Sequence, residues 1–265
     1  MMWLGPLGGL VPIDCATTLT PSRGPRVVTV ETVGGHRRAY RLPRTPARVW
    51  DVYVDTTSPL EVDKVAGFAE GAWGEGPFVF VSDEAAALNV LTPGQADFSA
   101  PMDVAYVSSG PVVVGGMHLP ASAVVSIPSS WRALADYIPV VPGLPVTVSV
   151  WAQSVTGAPQ FTIVWRSGTA LDPTSQTVTG SAGGMWQRLT WTGTPPAGTT
   201  AVRIGARASV TALAGPQVSW TPGPVEWAAG RGADSVVVTE HQGTPVYLAG
   251  PHYYELSYRI EEVSG

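Results

Sequence analysis

Residues 146–152 read VTVSVWA, and the class of fold is decided by this short run. Strict alternation puts Val146, Val148, Val150 and Ala152 on one face of a strand, and Thr147, Ser149 and Trp151 on the other. Neighbouring runs repeat the pattern. FTIVWR (161–166), MWQRLTWTGT (185–194) and AVRIGARA (201–208) read as further strands between turn residues. Trp165 sides with Phe161 and Ile163 and is expected in the core. Leu189 and Trp191 face inward, which leaves Trp186 and Arg188 outward. Strands at this spacing suggest a β-sandwich. The 30 glycines and 25 prolines punctuate short β-rich runs along the whole chain, so the fold class is mainly β.

Working outward, the composition changes. Residues 97–224 hold nine charged residues and no glutamate, although the chain has 15 basic and 20 acidic side chains in all. This shift marks 97–224 as a separate module. After Pro224 the charge returns. SVVVTE (235–240) and YYELSYRIEEV (253–263) read as strands, with Tyr254, Leu256, Tyr258 and Ile260 alternating against charged residues. Before the module, RVVTVET (26–32), RVWDVYVD (48–55) and Phe78 to Ser82 read the same way. Trp50, Val52 and Val54 form the buried face of 48–55. Val49, Asp51, Tyr53 and Asp55 form the other. One segment is helical: Ser58 is the N-cap, Pro59 the first helical residue, Glu61 completes a capping box, and Gly71 ends it. Val62, Val65, Ala66 and Ala69 recur at helical spacing. A second helical turn covers Asp83 to Leu88. The expected organisation is a β-rich domain with one short α-helix, built from 1–96 and 225–265, with a sandwich at 97–224 inserted between its two parts. Trp50, Phe78, Phe80, Tyr254, Leu256 and Tyr258 are expected in the core or in subunit contacts of the first domain.

Charge excludes several function classes. Charged residues make up 13% of the chain, against about 25% in typical domains. Two causes are open: burial against other subunits, whose interface cores are poor in charge, or a Thr/Ser-rich β surface. The net charge is −5 and Lys64 is the only lysine, so no patch offers counterion release to nucleic acid. Arg37, Arg38, Arg41, Arg44 and Arg48 form the one basic stretch, read as a solvated or inter-subunit face. Cys15 stands alone, which rules out an intrachain disulfide and a cysteine zinc cluster. The opening MMWLGPLGGLVPI lacks a basic n-region and is broken by Gly and Pro, making a poor signal peptide. No apolar run approaches the roughly 20 residues of a membrane span, so membrane insertion is not expected.

Catalytic signatures are missing. No G-x-S-x-G presents a nucleophile, no Walker or dinucleotide loop opens a helix, and no calcium loop of the D-x-[DN]-x-[DN]-G type occurs. His36, His118, His241 and His252 lie far apart. Glu226, Glu261 and Glu262 are available for glycosidase chemistry, but nothing places a pair across a cleft. No catalytic residue, metal ligand or cofactor is assigned. The tryptophans are the best functional clue: Trp151, Trp165, Trp186, Trp191 and Trp220 crowd the middle segment. Exposed indole faces stack on sugar rings. The outward Trp151 and Trp186, with Arg188, are therefore the candidate carbohydrate-binding residues. The alternative is that both rings pack under loops or in subunit contacts. No cluster of outward polar groups is evident beside Trp151.

Two resemblances follow from these residues. WDVYVDTTSPLEVDKVAGFAEGAWGEGPFVFVSDEAAALNVLTP (50–93), with YYELSYRIEEV (253–263), resembles minor tail proteins of phages that infect actinobacteria, which are similar to distal tail proteins of long-tailed phages. VVPGLPVTVSVWAQ (140–153) and MWQRLTWTGTPPAGTTAVRIGARA (185–208) resemble carbohydrate-binding modules of the jelly-roll type, a pattern that also survives in modules binding no sugar. The first resemblance implies a ring-forming β-rich domain and a structural role in the virion tail tip, assembled in the host cytoplasm. The ring, a hexamer by resemblance, would sit between the tail tube and the tip proteins. Its partners would be other copies of itself, the tail tube, the tape measure and other tail-tip proteins. The second implies a jelly-roll-like sandwich that could meet host cell-wall glycan. The rival readings are a free-standing carbohydrate-binding protein and a glycan-degrading tail enzyme.

Overall fold

The computed structural model describes residues 1–23, 27–31, 37–41, 47–100, 105–125, 131–207, 209–246 and 253–263. His36, Arg44 and His252 lie outside the described residues, as do Arg26 and Thr32. The strands run β1 (Met2–Gly5), β2 (Val11–Ile13), β3 (Thr18–Arg23), β4 (Val27–Glu31), β5 (Arg37–Arg41), β6 (Arg48–Thr57), β7 (Phe78–Val81), β8 (Tyr106–Val114) and β9 (Met117–Val125). They continue as β10 (Arg132–Pro139), β11 (Val146–Gln153), β12 (Gln160–Ser167), β13 (Ala170–Thr179), β14 (Gln187–Gly193), β15 (Ala201–Ala206), β16 (Ala212–Ser219), β17 (Ala233–Val246) and β18 (Tyr253–Glu262). Among the described residues, helices α1 (Pro59–Ala69), α2 (Asp83–Leu88) and α3 (Pro93–Ala96) interrupt them. The protein is mainly β, and among the described residues no sheet closes into a barrel. No helix of the described residues is long and apolar enough to cross a membrane.

The chain divides into two compact units. Unit 1 comprises Met1–Met2, Pro12–Phe78 and Ser235–Gly265, and unit 2 comprises Trp3–Val11 and Val79–Asp234. These bounds differ from the compositional ones at 96 and 224. Residues 79–96 and 225–234 belong with the sandwich because side-chain amides of that unit bind their backbones, a constraint that charge content does not register.

In unit 1, β18 lies between β17 and β6, and β3 flanks β6, all antiparallel. Alternation buries Trp50, Val52, Val54, Leu256, Tyr258 and Ile260, as their pattern requires. Phe78 and Phe80 are also buried, Phe80 within unit 2, while Tyr254 is half-buried. Helix α1 lies against β18 and starts on Ser58, whose hydroxyl accepts from the Glu61 N–H at 3.3 Å. The expected capping box is incomplete. Glu61 Oε1 accepts from the Asp14 N–H at 2.9 Å instead, and Oε2 accepts from Lys64 at 2.5 Å. The buried face of α1 also turns slightly from the one expected, running through Glu61, Val65, Gly67 and Phe68. Phe68 stacks on Trp73 at 5.2 Å and meets Phe78 edge-on at 5.1 Å. Arg48, one of the arginines read as a solvated or inter-subunit face, is buried within the unit and forms a two-pronged pair with Glu262, at 2.7 Å to Oε1 and 3.1 Å to Oε2.

Unit 2 contains a sandwich of two antiparallel sheets, β10-β15-β12-β13 and β14-β11-β16-β9-β8. Val146, Val148, Val150 and Ala152 form one core cluster with Phe161, Ile163, Val202 and Ile204. Trp165 is buried there and tilts against Trp191 at 5.4 Å. One carboxylate sits inside this unit. Asp136 receives Arg166 Nε at 2.5 Å and Nη2 at 2.6 Å, and Arg203 Nε approaches at 3.2 Å. The Asp136 hydrogen bond raises the Arg166 guanidinium above its ordinary value, against the opposing effect of burial.

Two outcomes are expected. Asp136→Ala strands two guanidinium groups in a poorly solvated place and should lower stability by about 3–5 kcal/mol. A denaturant midpoint within error of wild type would show that the pairing carries nothing. Burial, aided by the Glu61 and Asp14 carboxylates, holds the Tyr258 hydroxyl far above its ordinary 10.0. The unfolded state therefore ionises first as pH rises. The contribution is fully present below pH 10.0 and is lost above it. Tyr258→Phe removes that loss, so thermal melts should show it gaining on wild type by up to about 1.4 kcal/mol per pH unit above that point. Parallel pH profiles would refute the assignment.

Candidate functional site

The candidate residues meet on the outer face of β14-β11-β16-β9-β8, on the side away from the core. Trp151 of β11 stands directly opposite Arg188 of β14 in the strand register. Trp186 precedes β14, and both indoles pack, half-buried, on a small cluster of Val114, Leu119 and Ala214. Trp227 joins this cluster from outside the sheet. Glycine makes the room at two points. A Cβ at Gly115 would stand 2.4 Å from the Trp151 ring, and one at Gly215 would stand 3.0 Å from the Trp227 ring. Both glycines also adopt φ of +54°, a region that side chains disfavour.

Polar groups gather beside Trp151, but they are buried. Thr147 and Ser149 point outward as parity requires, yet both are buried. Ser149 Oγ donates to Gln217 Oε1 at 3.3 Å, and Arg188 Nη2 donates to Ser149 Oγ at 3.2 Å. These groups are covered by the chain itself. Arg188 Nη2 donates to the Val225 carbonyl at 2.5 Å. Gln217 Nε2 donates to the Glu226 carbonyl at 2.8 Å and to the Leu88 carbonyl at 2.9 Å. Asn89, fully buried, uses all of its capacity. Its amide donates to the carbonyls of Ala228 at 2.8 Å and Pro216 at 3.3 Å, and its oxygen accepts from Leu91 and Val218. Residues 221–230 thus form a strap across the face, followed by backbone bonds from Arg231 to Asn89 and from Gly232 to Leu91.

Sequence reasoning missed Asn89 and Gln217. Gln217 lies in β16, whose ALAGPQVS contains the turn-like pair Gly215-Pro216 and does not look like a strand. Asn89 follows a six-residue helix and carries no local signal. Two N–H groups remain: the Trp151 and Trp227 indole nitrogens are buried without a hydrogen-bond partner among the described residues. Of the carboxylates considered for glycosidase chemistry, Glu262 is paired with Arg48, Glu261 accepts from Thr239, and Glu226 belongs to the strap. Among the described residues no group of three or more His, Cys, Asp or Glu side chains could hold a metal ion.

No protein-family model and no curated protein matches the chain. Solved structures give partial likenesses. The enzymatically active domain of tailspike protein 4 from bacteriophage CBA120 is 16% identical with a TM-score of 0.39, over 51% of this chain and 22% of that one. A Clostridium thermocellum xylanase 10B structure with a carbohydrate-binding and a catalytic module, complexed with xylohexaose, is 12% identical with a TM-score of 0.35, over 54% of this chain and 30% of that one. A carbohydrate-binding module of Cellvibrio mixtus lichenase 5A, complexed with cellotriose, is 14% identical with a TM-score of 0.35, over 51% of this chain and 99% of that one. This chain therefore spans less than a third of the length of the first two.

The strap should depend on the Gln217 amide. Gln217→Leu leaves the Leu88 and Glu226 carbonyls without their donor and should destabilise the sandwich by about 2–4 kcal/mol. It should also open residues 221–230 to limited proteolysis. Wild-type cleavage kinetics in this variant would show that the amide does not hold the strap.

Proposed function

We propose that this chain is a non-catalytic structural component of a bacteriophage tail tip, a distal-tail or minor tail protein, in which the sandwich is a closed building module. The phage assignment rests on the resemblance of residues 50–93 and 253–263 to minor tail proteins of actinobacteriophages. The single observation carrying the structural reading is that the polar groups of the outer face are covered by the chain's own strap. Arg188, Gln217 and Asn89, the polar groups that could hold an external ligand, are bound to carbonyls of the chain's own residues 225–228. The buried carboxylates point the same way: Asp136 and Glu61 are engaged by structural cations. A ring of copies between the tail tube and the tip proteins is the arrangement this reading takes, and low charge suits surfaces shared between subunits.

A second reading keeps a specific observation in its favour. Trp151, Trp186 and Arg188 converge, and a glycan could stack on whatever part of the two half-buried rings the strap leaves free. The two readings separate by experiment. A gold-labelled tag in the exposed turn at Gly143 should place the chain at the distal end of the tail in electron micrographs of the phage particle. Label on the capsid, or a chain found only free in the lysate, would overturn the tail reading. Retention of purified protein on host cell-wall polysaccharide, lost in Trp186→Ala, would establish the glycan reading.

A further inference from the structure

Unit 1 carries two features that a structural role alone leaves unexplained. The first is the ribbon β4–β5. Among the described residues its strands pair only with each other, from Val27 opposite Arg41 to Glu31 opposite Arg37. A two-stranded ribbon with no third strand or helix is at best marginally stable in water. Residues 27–41 carry Arg37, Arg38 and Arg41 against Glu31 alone. Arg37 and Arg38 are exposed. Arg37 approaches Glu31 at 3.7 Å with both side chains mostly in solvent, a pair of little worth. Successive residues alternate faces, so the ribbon is cationic on both.

The second feature is the outer face of the β3-β6-β18-β17 sheet. Asp51, Asp55, Glu240, Glu255 and Glu261 share it, and among the described residues Arg259 is its one guanidinium. Arg259 is already held by Asp51 and Glu240, each at 2.8 Å. Asp55 and Glu255, both exposed and near Tyr53, are left without a cation among the described residues. Beside them runs a shallow groove of about 260 Å³ lined by Thr18, Thr20, Asp51, Tyr53, Glu240 and Arg259. The ribbon joins the sheet at the rung where Arg23 faces Arg48. Asp55 lies further along β6, on the order of 20 Å away at the rise of an extended strand. The arginines and the carboxylates are thus carried at separate places on the unit, as a contact between copies requires.

We propose that the β4–β5 ribbon of one copy docks through Arg37 and Arg38 on the carboxylate-lined outer face around Tyr53 of a second copy. The two surfaces are opposite in charge and lie on different parts of one chain. The contact is therefore heterologous and propagates to a ring or an open row. It rests on the tail-structural reading and names the surfaces through which such a protein would self-associate. Because both sides are exposed, the contact is screened by salt.

Sedimentation of the purified full chain tests it. Wild type should self-associate at low salt, reversibly with added salt, at concentrations up to ~100 μM, a range that reaches weak contacts. Arg37→Glu/Arg38→Glu and, separately, Asp55→Lys/Glu255→Lys should each weaken association by at least ~10-fold, since both alterations replace attraction by repulsion. Mixed together, these two proteins should associate again in alternation, because the intact ribbon meets the intact face and the reversed ribbon meets the reversed face. A chain carrying all four substitutions should associate again. A monomeric wild type, or association indifferent to these charges, would overturn the proposal. Tagged particles distinguish the failures: a chain at the tail tip whose association ignores the swap retires only this contact, whereas a chain absent from the tail retires the tail reading.

Discussion

Two buried amide side chains, Asn89 and Gln217, tie together three stretches of chain that are remote in sequence. Between them they bond to the backbone at Leu88, Leu91, Pro216, Val218, Glu226 and Ala228. A buried amide leaves several strong groups to satisfy, and leaving any unmet costs about 1–3 kcal/mol. Here both are saturated in their donors, and Asn89 in its acceptors as well. The constraint decides where the strap runs, which polar groups of the sheet it covers, and why residues 79–96 and 225–234 belong with the sandwich. The candidate site is an outcome of the same constraint: the polar groups that could meet a ligand are spent on the protein's own carbonyls.

Few charges are present, and the interior ones are assigned. Asp136 gathers Arg166 and Arg203, Glu262 grips Arg48, and Glu61 joins the Asp14 amide to Lys64. Pairs of this kind add little net stability over an apolar replacement but punish the loss of one partner, so they specify geometry more than they stabilise it. The exposed charges of unit 1 are distributed differently. They separate into a cationic ribbon and an anionic sheet face, the pattern of a surface meant to meet its complement.

Where one face of a strand is buried, period-two patterning was enough to read the fold. Val146 to Ala152, Trp50 to Val54 and Leu256 to Ile260 all present the faces their alternation requires. Ser58 and Pro59 announced α1 because capping is local. Thr92 and Pro93 announced α3 in the same way and passed unread. Long-range polar bonding was not legible. Parity puts Ser149 and Arg188 outward, but it cannot say that a strap more than thirty residues further on covers them. Gly215-Pro216 disguised β16, and with it Gln217. Glu61 satisfied the capping-box pattern in sequence and then bonded to a residue 47 positions away, a competition that no local rule resolves.

The locked strap over the polar groups of this face is the central claim, and amide hydrogen exchange resolved along the backbone tests it most directly. If Asn89 and Gln217 lock the strap, the amides of Val90, Val218, Trp220, Arg231 and Gly232, each hydrogen-bonded within this knot, should exchange only as slowly as the sandwich core at β11 and β12. They would then open with the global unfolding of that unit. Exchange of Arg231 and Gly232 many times faster than the core would mean that the strap lifts by itself, and the account of a closed structural module would be wrong.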